Sequence, residues 1–167
     1  MVKEIKNKIS EAGLITLDVS GVVPVGRRAE LDLARWLDNE LIIKESSFKK
    51  KLDEFNWLEL QDSFVAISCS RDVIIPPWSY LFVQLKLRNI AKQVFFCDVQ
   101  SMNLLLFQRA LNELNIGLYK DRRVFLKVCS GENLPLAYLS MCVDVLAPHV
   151  KSLFYGEPCS GVPLIKN

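Results

Sequence analysis

Histidine is almost missing from this sequence, and long apolar runs and an excess of one charge are missing altogether. The 167 residues contain one histidine, and 21 lysines and arginines stand against 19 aspartates and glutamates. Such a balance gives no sign of a nucleic-acid or anionic-membrane partner. No apolar run approaches the ~20 residues of a membrane-spanning helix, and the charged N-terminus lacks the apolar stretch of a signal peptide. We therefore expect a cytoplasmic protein.

Disulfide spacing is also missing. The five cysteines are odd in number, and no two of them form a C-x-x-C pair. We therefore expect no disulfide framework, and we expect the protein to reside in a reducing compartment. Half of the residues are hydrophobic and 24% are charged, which is ordinary for a globular protein. The length corresponds to one domain, and we expect a single α/β domain over residues 1–167.

Two stretches of the chain repeat one another. Each has an apolar strand that ends in Cys-Ser, then a polar loop, then a Pro-x-x-Tyr that opens a helix. A basic residue, an aromatic strand and an acid follow. Cys129 comes 60 residues after Cys69, and the two tyrosines are 58 residues apart. This pattern predicts two βαβ units of the same design, at 64–98 and 124–160.

Strand and helix patterns alternate after the first third of the chain. We expect strands at 64–69, 92–97, 122–128 and 151–155, and helices at 46–55 (capped by Ser46), 77–91, 99–115 and 135–147. Alternation of this kind predicts a mainly parallel sheet with right-handed crossovers. Earlier in the chain, residues 2–12 have the pattern of a short amphipathic helix. Short alternating runs at 14–43 predict a small antiparallel β unit.

Cysteines stand where the predicted parallel strands end. In an open parallel sheet the carboxyl ends of all strands lie on one edge, and ligands bind there. A thiol beside a turn that leads into a helix has a lowered pKa, which favours metal binding or nucleophilic chemistry. We therefore expect a tri-cysteine site for zinc or an iron–sulfur cluster. Its ligands are Cys69, Cys129 and Cys159, with Asp98 or Glu157 as a fourth.

Polar and aromatic residues flank these cysteines and would line a pocket beside the metal. They are Ser70, Asp72, Trp78, Tyr80, Ser130, Tyr138 and Ser160. The aromatic members have an alternative role, because aromatic residues at the start of a core helix usually pack inward.

Three runs of residues resemble one known family. They are Cys-Ser-x-Asp-x-Ile-x-Pro-x-Trp-x-Tyr from Cys69 to Tyr80, Tyr-Gly-Glu-Pro-Cys-Ser-Gly-Val-Pro-Leu from Tyr155 to Leu164, and Gly-Leu-Ile-Thr-Leu-Asp from Gly13 to Asp18. Together they resemble the uncharacterised bacterial family called domain of unknown function 2480. Through the neighbouring genes of that family, the resemblance implies an accessory role in iron–sulfur cluster assembly and a protein partner there.

Three other interpretations of the cysteines remain open. In the first interpretation, the cysteines fill tight strand ends in a non-catalytic interaction module, because free cysteine behaves as a small hydrophobe. In the second interpretation, one of these cysteines is the nucleophile of a thiol-dependent enzyme, although a histidine base, a Cys-x5-Arg loop and a C-x-x-C pair are missing near them. In the third interpretation, the backbone N–H groups of the Ser70 and Ser130 loops bind a small anion.

Overall fold

Strands and helices alternate along the chain, as the α/β class requires. The computed structural model describes residues 13–128 and 134–166, so the helix expected at 2–12 lies outside the described residues. The strands are β1 (Leu14–Asp18), β2 (Arg27–Asp32), β3 (Ser63–Ser68), β4 (Gln93–Phe95), β5 (Arg123–Lys127), β6 (Ser152–Tyr155) and β7 (Val162–Lys166). The helices are α1 (Glu45–Glu54), α2 (Pro77–Leu87), α3 (Val99–Asn112) and α4 (Leu136–Leu146). No helix of the described residues is long and apolar enough to cross a membrane.

The strands form two sheets. One has the order β2-β3-β4 and is entirely parallel, and the other has the order β1-β5-β6-β7, in which only β7 runs antiparallel to its neighbour. Our expectation of one sheet that contains all four strands after residue 64 is therefore wrong. The alternation of strands and helices predicts parallel neighbours, but it carries no information on which strands share a sheet.

The antiparallel β unit expected at 14–43 is also wrong. β1 pairs in parallel with β5, and β2 pairs in parallel with β3. Residues 41–43 form no strand and contribute only an isolated bridge between Asp38 and Ile42. The loop that follows β1 connects two sheets and does not close a hairpin.

The helix cap expected at Ser46 is also wrong. α1 begins at Glu45 after Lys44, so Ser46 lies inside its first turn and does not cap it.

Contacts divide the chain into two compact units. Val25–Asn103 contains the three-stranded sheet and is called here the three-stranded unit. Met1–Pro24 together with Leu104–Asn167 contains the other sheet and is called the four-stranded unit. The three-stranded unit is thus an insertion, in sequence, between β1 and most of α3.

Each unit has its own apolar core. In the three-stranded unit, the fully buried Phe48 of α1 meets Trp36 and Trp78 edge to face, with ring centroids 5.6 and 5.8 Å away. In the four-stranded unit, Phe107 of α3 stacks on Tyr138 of α4 with centroids 4.0 Å apart. The central strand β3 is buried at five of its six positions and β5 at its three middle positions, as strands covered on both faces should be.

The internal βαβ duplication is confirmed, and it reaches down to single hydrogen bonds. Asp62 precedes β3 with a φ of 54°, and its N–H donates to Ile90 O at 2.9 Å. Asp121, 59 residues later, precedes β5 with a φ of 57°, and its N–H donates to His149 O at 2.9 Å. Aspartate tolerates this left-handed conformation better than most residues. Each bond ties the entry of a strand to the end of the helix that follows it.

The duplication also includes the first strand of each sheet. β1 and β2 both end in Leu-Asp and lead into a 3-10 turn. Asp18 Oδ1 accepts from Ser20 N at 3.0 Å, and Asp32 Oδ1 accepts from Ala34 N at 2.9 Å. Each unit therefore begins its sheet in the same way, with an aspartate that closes a turn at the carboxyl end of the strand.

Candidate functional site

A pocket of about 450 Å³ lies at the carboxyl edge of the three-stranded sheet. The first turns of α2 and the ends of β3 and β4 form its walls. Its lining residues are Ile67, Ser68, Cys69, Pro77, Tyr80, Leu81, Phe96 and Cys97. We call it the thiol pocket, because two cysteines, Cys69 and Cys97, are among its lining residues.

Two ionisable groups of the thiol pocket, the Tyr80 phenol and the Cys97 thiol, have raised pKa values. Burial raises the pKa of the Tyr80 phenol, and the nearby Cys69 raises it further. Burial also raises the pKa of the Cys97 thiol, with a smaller contribution from the Asp98 carboxylate. The Tyr80 ring meets Phe96 edge to face at 5.5 Å and so closes one side of the pocket. The pocket therefore offers soft sulfur atoms in a largely apolar setting.

Asp32 fixes the turn that carries Cys69. Its carboxylate accepts from Ser70 N at 3.0 Å and from Ser70 Oγ at 2.5 Å, in addition to Ala34 N. Partial burial raises the pKa of Asp32, but these hydrogen bonds and the charge of Arg35 outweigh it, and the net shift is downward. The carboxylate thus occupies the N–H group of Ser70 that an external anion would need. This observation argues against anion binding at the Ser70 loop.

The two acids expected as metal ligands are held by other groups. Asp98 caps α3 by accepting from the N–H and the hydroxyl of Ser101, both at 2.8 Å, and these bonds lower its pKa. Glu157 forms an ion pair with Lys127 at 2.8 Å, and the hydrogen bond within that pair lowers its pKa. Metal ligation by either carboxylate would have to displace these partners.

The structure divides the expected site residues between the two units. The three-stranded unit contains Cys69, Ser70, Asp72, Trp78, Tyr80 and Asp98, and the four-stranded unit contains Tyr138, Glu157, Cys159 and Ser160. Cys129 and Ser130 lie outside the described residues. Within 13–128 and 134–166, no three histidine, cysteine, aspartate or glutamate side chains are grouped so that they would hold a metal ion.

The residues expected to line a pocket have different roles. Tyr80 lines the thiol pocket, whereas Trp78 packs against Phe48 and Phe82 and Tyr138 packs against Phe107. Ser70 is held by Asp32, and Asp72 is exposed. Ser160 lies in an exposed turn, where its hydroxyl is 3.9 Å from the sulfur of the preceding Cys159.

Sequence reasoning missed several residues of the thiol pocket and its support. They are Asp32, Leu81 and Phe96. One signal for Asp32 was present, because the Leu-Asp pair that ends β1 recurs at the end of β2. Cys97 stands at the end of the strand predicted at 92–97, and sequence reasoning assigned it to packing; its counterpart in the second repeat is a glycine.

Cys159 and Cys142 are expected to differ strongly in reactivity. Cys159 is exposed, whereas Cys142 is buried and burial raises the pKa of its thiol to about 11. With a disulfide reagent at pH 8, we expect Cys159 to react at least about 100-fold faster. Cys159→Ser should remove one thiol from the fast phase, and the control Cys142→Ala should leave that phase unchanged. An unchanged fast phase in Cys159→Ser would contradict the exposed position of this thiol.

The four-stranded unit has a pocket at the equivalent place. Its volume is about 560 Å³, and it is lined by Leu126, Leu136, Leu139, Ser140, Val143, Tyr155, Val162 and Leu164. Leu126, Leu139 and Tyr155 are the counterparts of Ile67, Leu81 and Phe96, at offsets of 59, 58 and 59 residues. Val162 and Leu164 belong to β7, for which the described residues give no counterpart in the three-stranded sheet. The duplicated pockets have therefore diverged: one contains two cysteines, and the other has a mainly aliphatic lining.

The fold and these pockets define a duplicated α/β protein with a pocket at the carboxyl edge of each sheet. The chain belongs to the family described as protein of unknown function (DUF2480), whose model matches residues 3–167. This match confirms the resemblance drawn from the sequence motifs. No curated protein and no solved structure matches the chain.

Proposed function

We propose that the protein binds zinc or iron through the thiols of Cys69 and Cys97, as an accessory to iron–sulfur cluster assembly in the cytoplasm. One observation carries the proposal: two cysteines and a tyrosine, Cys69, Cys97 and Tyr80, line a single pocket at the carboxyl edge of a parallel sheet. Ligands of α/β proteins bind at this edge, and cysteine thiolate is the ligand that zinc and iron–sulfur clusters share.

The coordination chemistry fits an accessory role. Two thiolates leave coordination positions that small molecules or a partner's ligands would fill, so the metal or cluster is held in transit and is readily passed on. The proposal moves one ligand from the carboxylate of Asp98, which caps α3, to the neighbouring thiol of Cys97. Cys129 and Cys159 are the remaining candidate ligands of the tri-cysteine hypothesis.

The first test is elemental analysis with a UV–visible spectrum on protein purified without oxygen. The wild-type chain should retain close to one zinc or iron per protein, and iron should give a visible charge-transfer band. Cys69→Ser and Cys97→Ser should each lower the metal content at least about tenfold, because a hydroxyl is a poor replacement for a thiolate ligand.

Matched cysteine variants decide between the ligand sets. Cys142→Ala is the control, because this buried thiol lies in α4 and is in the lining of neither pocket. Loss of metal in Cys129→Ser and Cys159→Ser, but not in Cys97→Ser, would show that the metal is bound by the tri-cysteine site and not by the thiol pocket. A wild-type protein without metal, with all variants equally stable, would contradict metal binding altogether.

A further inference from the structure

The two units differ in what covers the last strand of the repeated βαβ element. In the four-stranded unit, β7 pairs antiparallel with β6, with Tyr155 beside Val162 and Ser152 beside Lys166. The equivalent strand in the three-stranded unit is β4, which pairs with β3 on one side and is the edge strand of its sheet among the described residues. An edge strand presents backbone N–H and C=O groups to which another strand can add.

The side chains next to these strands differ in the same way. Leu139 and Val143 of α4 line the apolar pocket together with β7, and both pack against the core of their unit. Their counterparts on α2, Leu81 and Leu85, are 54% and 65% exposed, whereas Phe96 and its counterpart Tyr155 are similarly exposed, at 49% and 44%. The three-stranded unit therefore has an exposed apolar stripe at the place that β7 covers in the other repeat. We call Leu81, Leu85 and Phe96 the edge stripe.

Two basic residues lie near the amino end of β4. A second cavity, of about 460 Å³, lies at its amino end and is lined by Arg88 and Lys92 among other residues. Arg88 forms no ion pair within the described ranges, and Lys92 lies over the Phe64 ring at 5.6 Å. A strand antiparallel to β4 would have its C-terminal end beside this basic pair. An acidic residue there would complement the charge.

We propose that an extended segment of a partner protein adds to β4 as an antiparallel strand. The segment has apolar side chains at two alternate positions, which cover the edge stripe as Val162 and Leu164 cover α4, and an acidic residue toward its C-terminal end. In strand addition of this kind, main-chain hydrogen bonds supply affinity and side-chain pockets supply specificity. The inference does not require a bound metal, because it rests on the edge of β4 and on the exposure of the edge stripe; two stripe residues, Leu81 and Phe96, also line the thiol pocket.

The probe for this proposal is a synthetic peptide that copies residues 161–165 and ends in glutamate, Gly-Val-Pro-Leu-Ile-Glu. Binding to the full chain is measured by fluorescence anisotropy, and hydrogen exchange is followed at residues 93–96. We expect saturable binding with slowed exchange at β4. Leu81→Glu should weaken binding at least about tenfold, because it places a charge in the apolar contact.

Charge exchange and a surface control sharpen the test. Arg88→Glu should weaken binding of the Glu-ended peptide, and the same peptide ending in lysine should recover it. Leu58→Glu is the matched control, because Leu58 is an exposed leucine of the same unit outside the edge stripe and the pockets described above. Its affinity for the peptide should equal that of the wild type.

Three results would overturn the proposal. The first is the absence of saturable binding at millimolar peptide, with β4 exchange unchanged. The second is equal affinity of wild type, Leu81→Glu and a second stripe variant, Phe96→Ser. The third is a concentration-dependent dimer in sedimentation that Leu81→Glu abolishes, because the occupant of the edge would then be a second copy of this chain. The metal content of the wild type changes in none of these outcomes, so a failure here is distinguishable from a failure of the metal proposal.

Discussion

Replacement of Phe48 by alanine is expected to lower the free energy of unfolding of the three-stranded unit by about 3–5 kcal/mol. The Phe48 side chain is fully buried and lies between the rings of Trp36 and Trp78. Its removal would leave a cavity in the layer that holds α1 and α2 against β3. Tryptophan fluorescence in urea is a suitable measurement, because all three tryptophans of the chain (Trp36, Trp57 and Trp78) lie in this unit.

Phe48→Leu is the matched control, because leucine keeps most of the apolar volume and should cost less than about 1.5 kcal/mol. Circular dichroism in the same titration reports on the helices of both units. An alanine variant within about 1 kcal/mol of the wild type would show that this aromatic layer repacks and is not the main support of α2.

The second large effect is expected at Asp32. Asp32→Ala removes the acceptor of three hydrogen bonds, from Ala34 N, Ser70 N and Ser70 Oγ, and should cost about 1–3 kcal/mol of unfolding free energy. The turn that carries Cys69 would lose its attachment to β2. We therefore also expect a faster reaction of Cys69 with alkylating reagents in this variant, measured by peptide mass spectrometry.

The pH dependence has a definite sign. Because the folded-state pKa of Asp32 is lowered, its carboxylate contributes stability that is fully present above about pH 4 and is lost as the pH falls through the folded pKa. Asp32→Asn lacks this contribution at every pH. The difference in stability between wild type and Asp32→Asn should therefore shrink as the pH falls from about 4 to 2. A constant difference over that range would contradict the role assigned to the charge.

Asp72→Ala provides the control for both Asp32 variants. Asp72 is an exposed acid in the same loop as Ser70. Its replacement should change stability by less than about 0.5 kcal/mol, as is usual for a surface site. An effect of Asp72→Ala as large as that of Asp32→Ala would mean that general loop charge, and not the contact between Asp32 and Ser70, stabilises the turn.

The residues around the expected metal site show why ligand prediction from spacing is weak. Asp98 and Glu157 stand at matching places in the two repeats, and the sequence gives them the same role. In the structure one caps a helix and the other pairs with Lys127. The difference arises because Ser101 follows Asp98 at the spacing of a capped first turn, whereas a turn and β7 follow Glu157.

The sequence by itself determined the local elements and their repetition. Apolar runs that alternate with helical patterns predict parallel strands and crossover helices, and the Cys-Ser pairs correctly marked the end of β3. These features depend on neighbours within a few residues, and they can therefore be predicted from one sequence.

Only the tertiary structure decided which strands share a sheet, and with that, which side chains meet. β1 pairs with β5 across more than a hundred residues of chain, and β2 pairs with β3. An alternating apolar pattern specifies a buried face but neither the partner strand nor its direction. The contact of Asp32 with Ser70 follows from the pairing of β2 with β3, and the thiol pocket follows from the pairing of β3 with β4. The uncovered edge of β4 follows from the strand order β2-β3-β4 among the described residues.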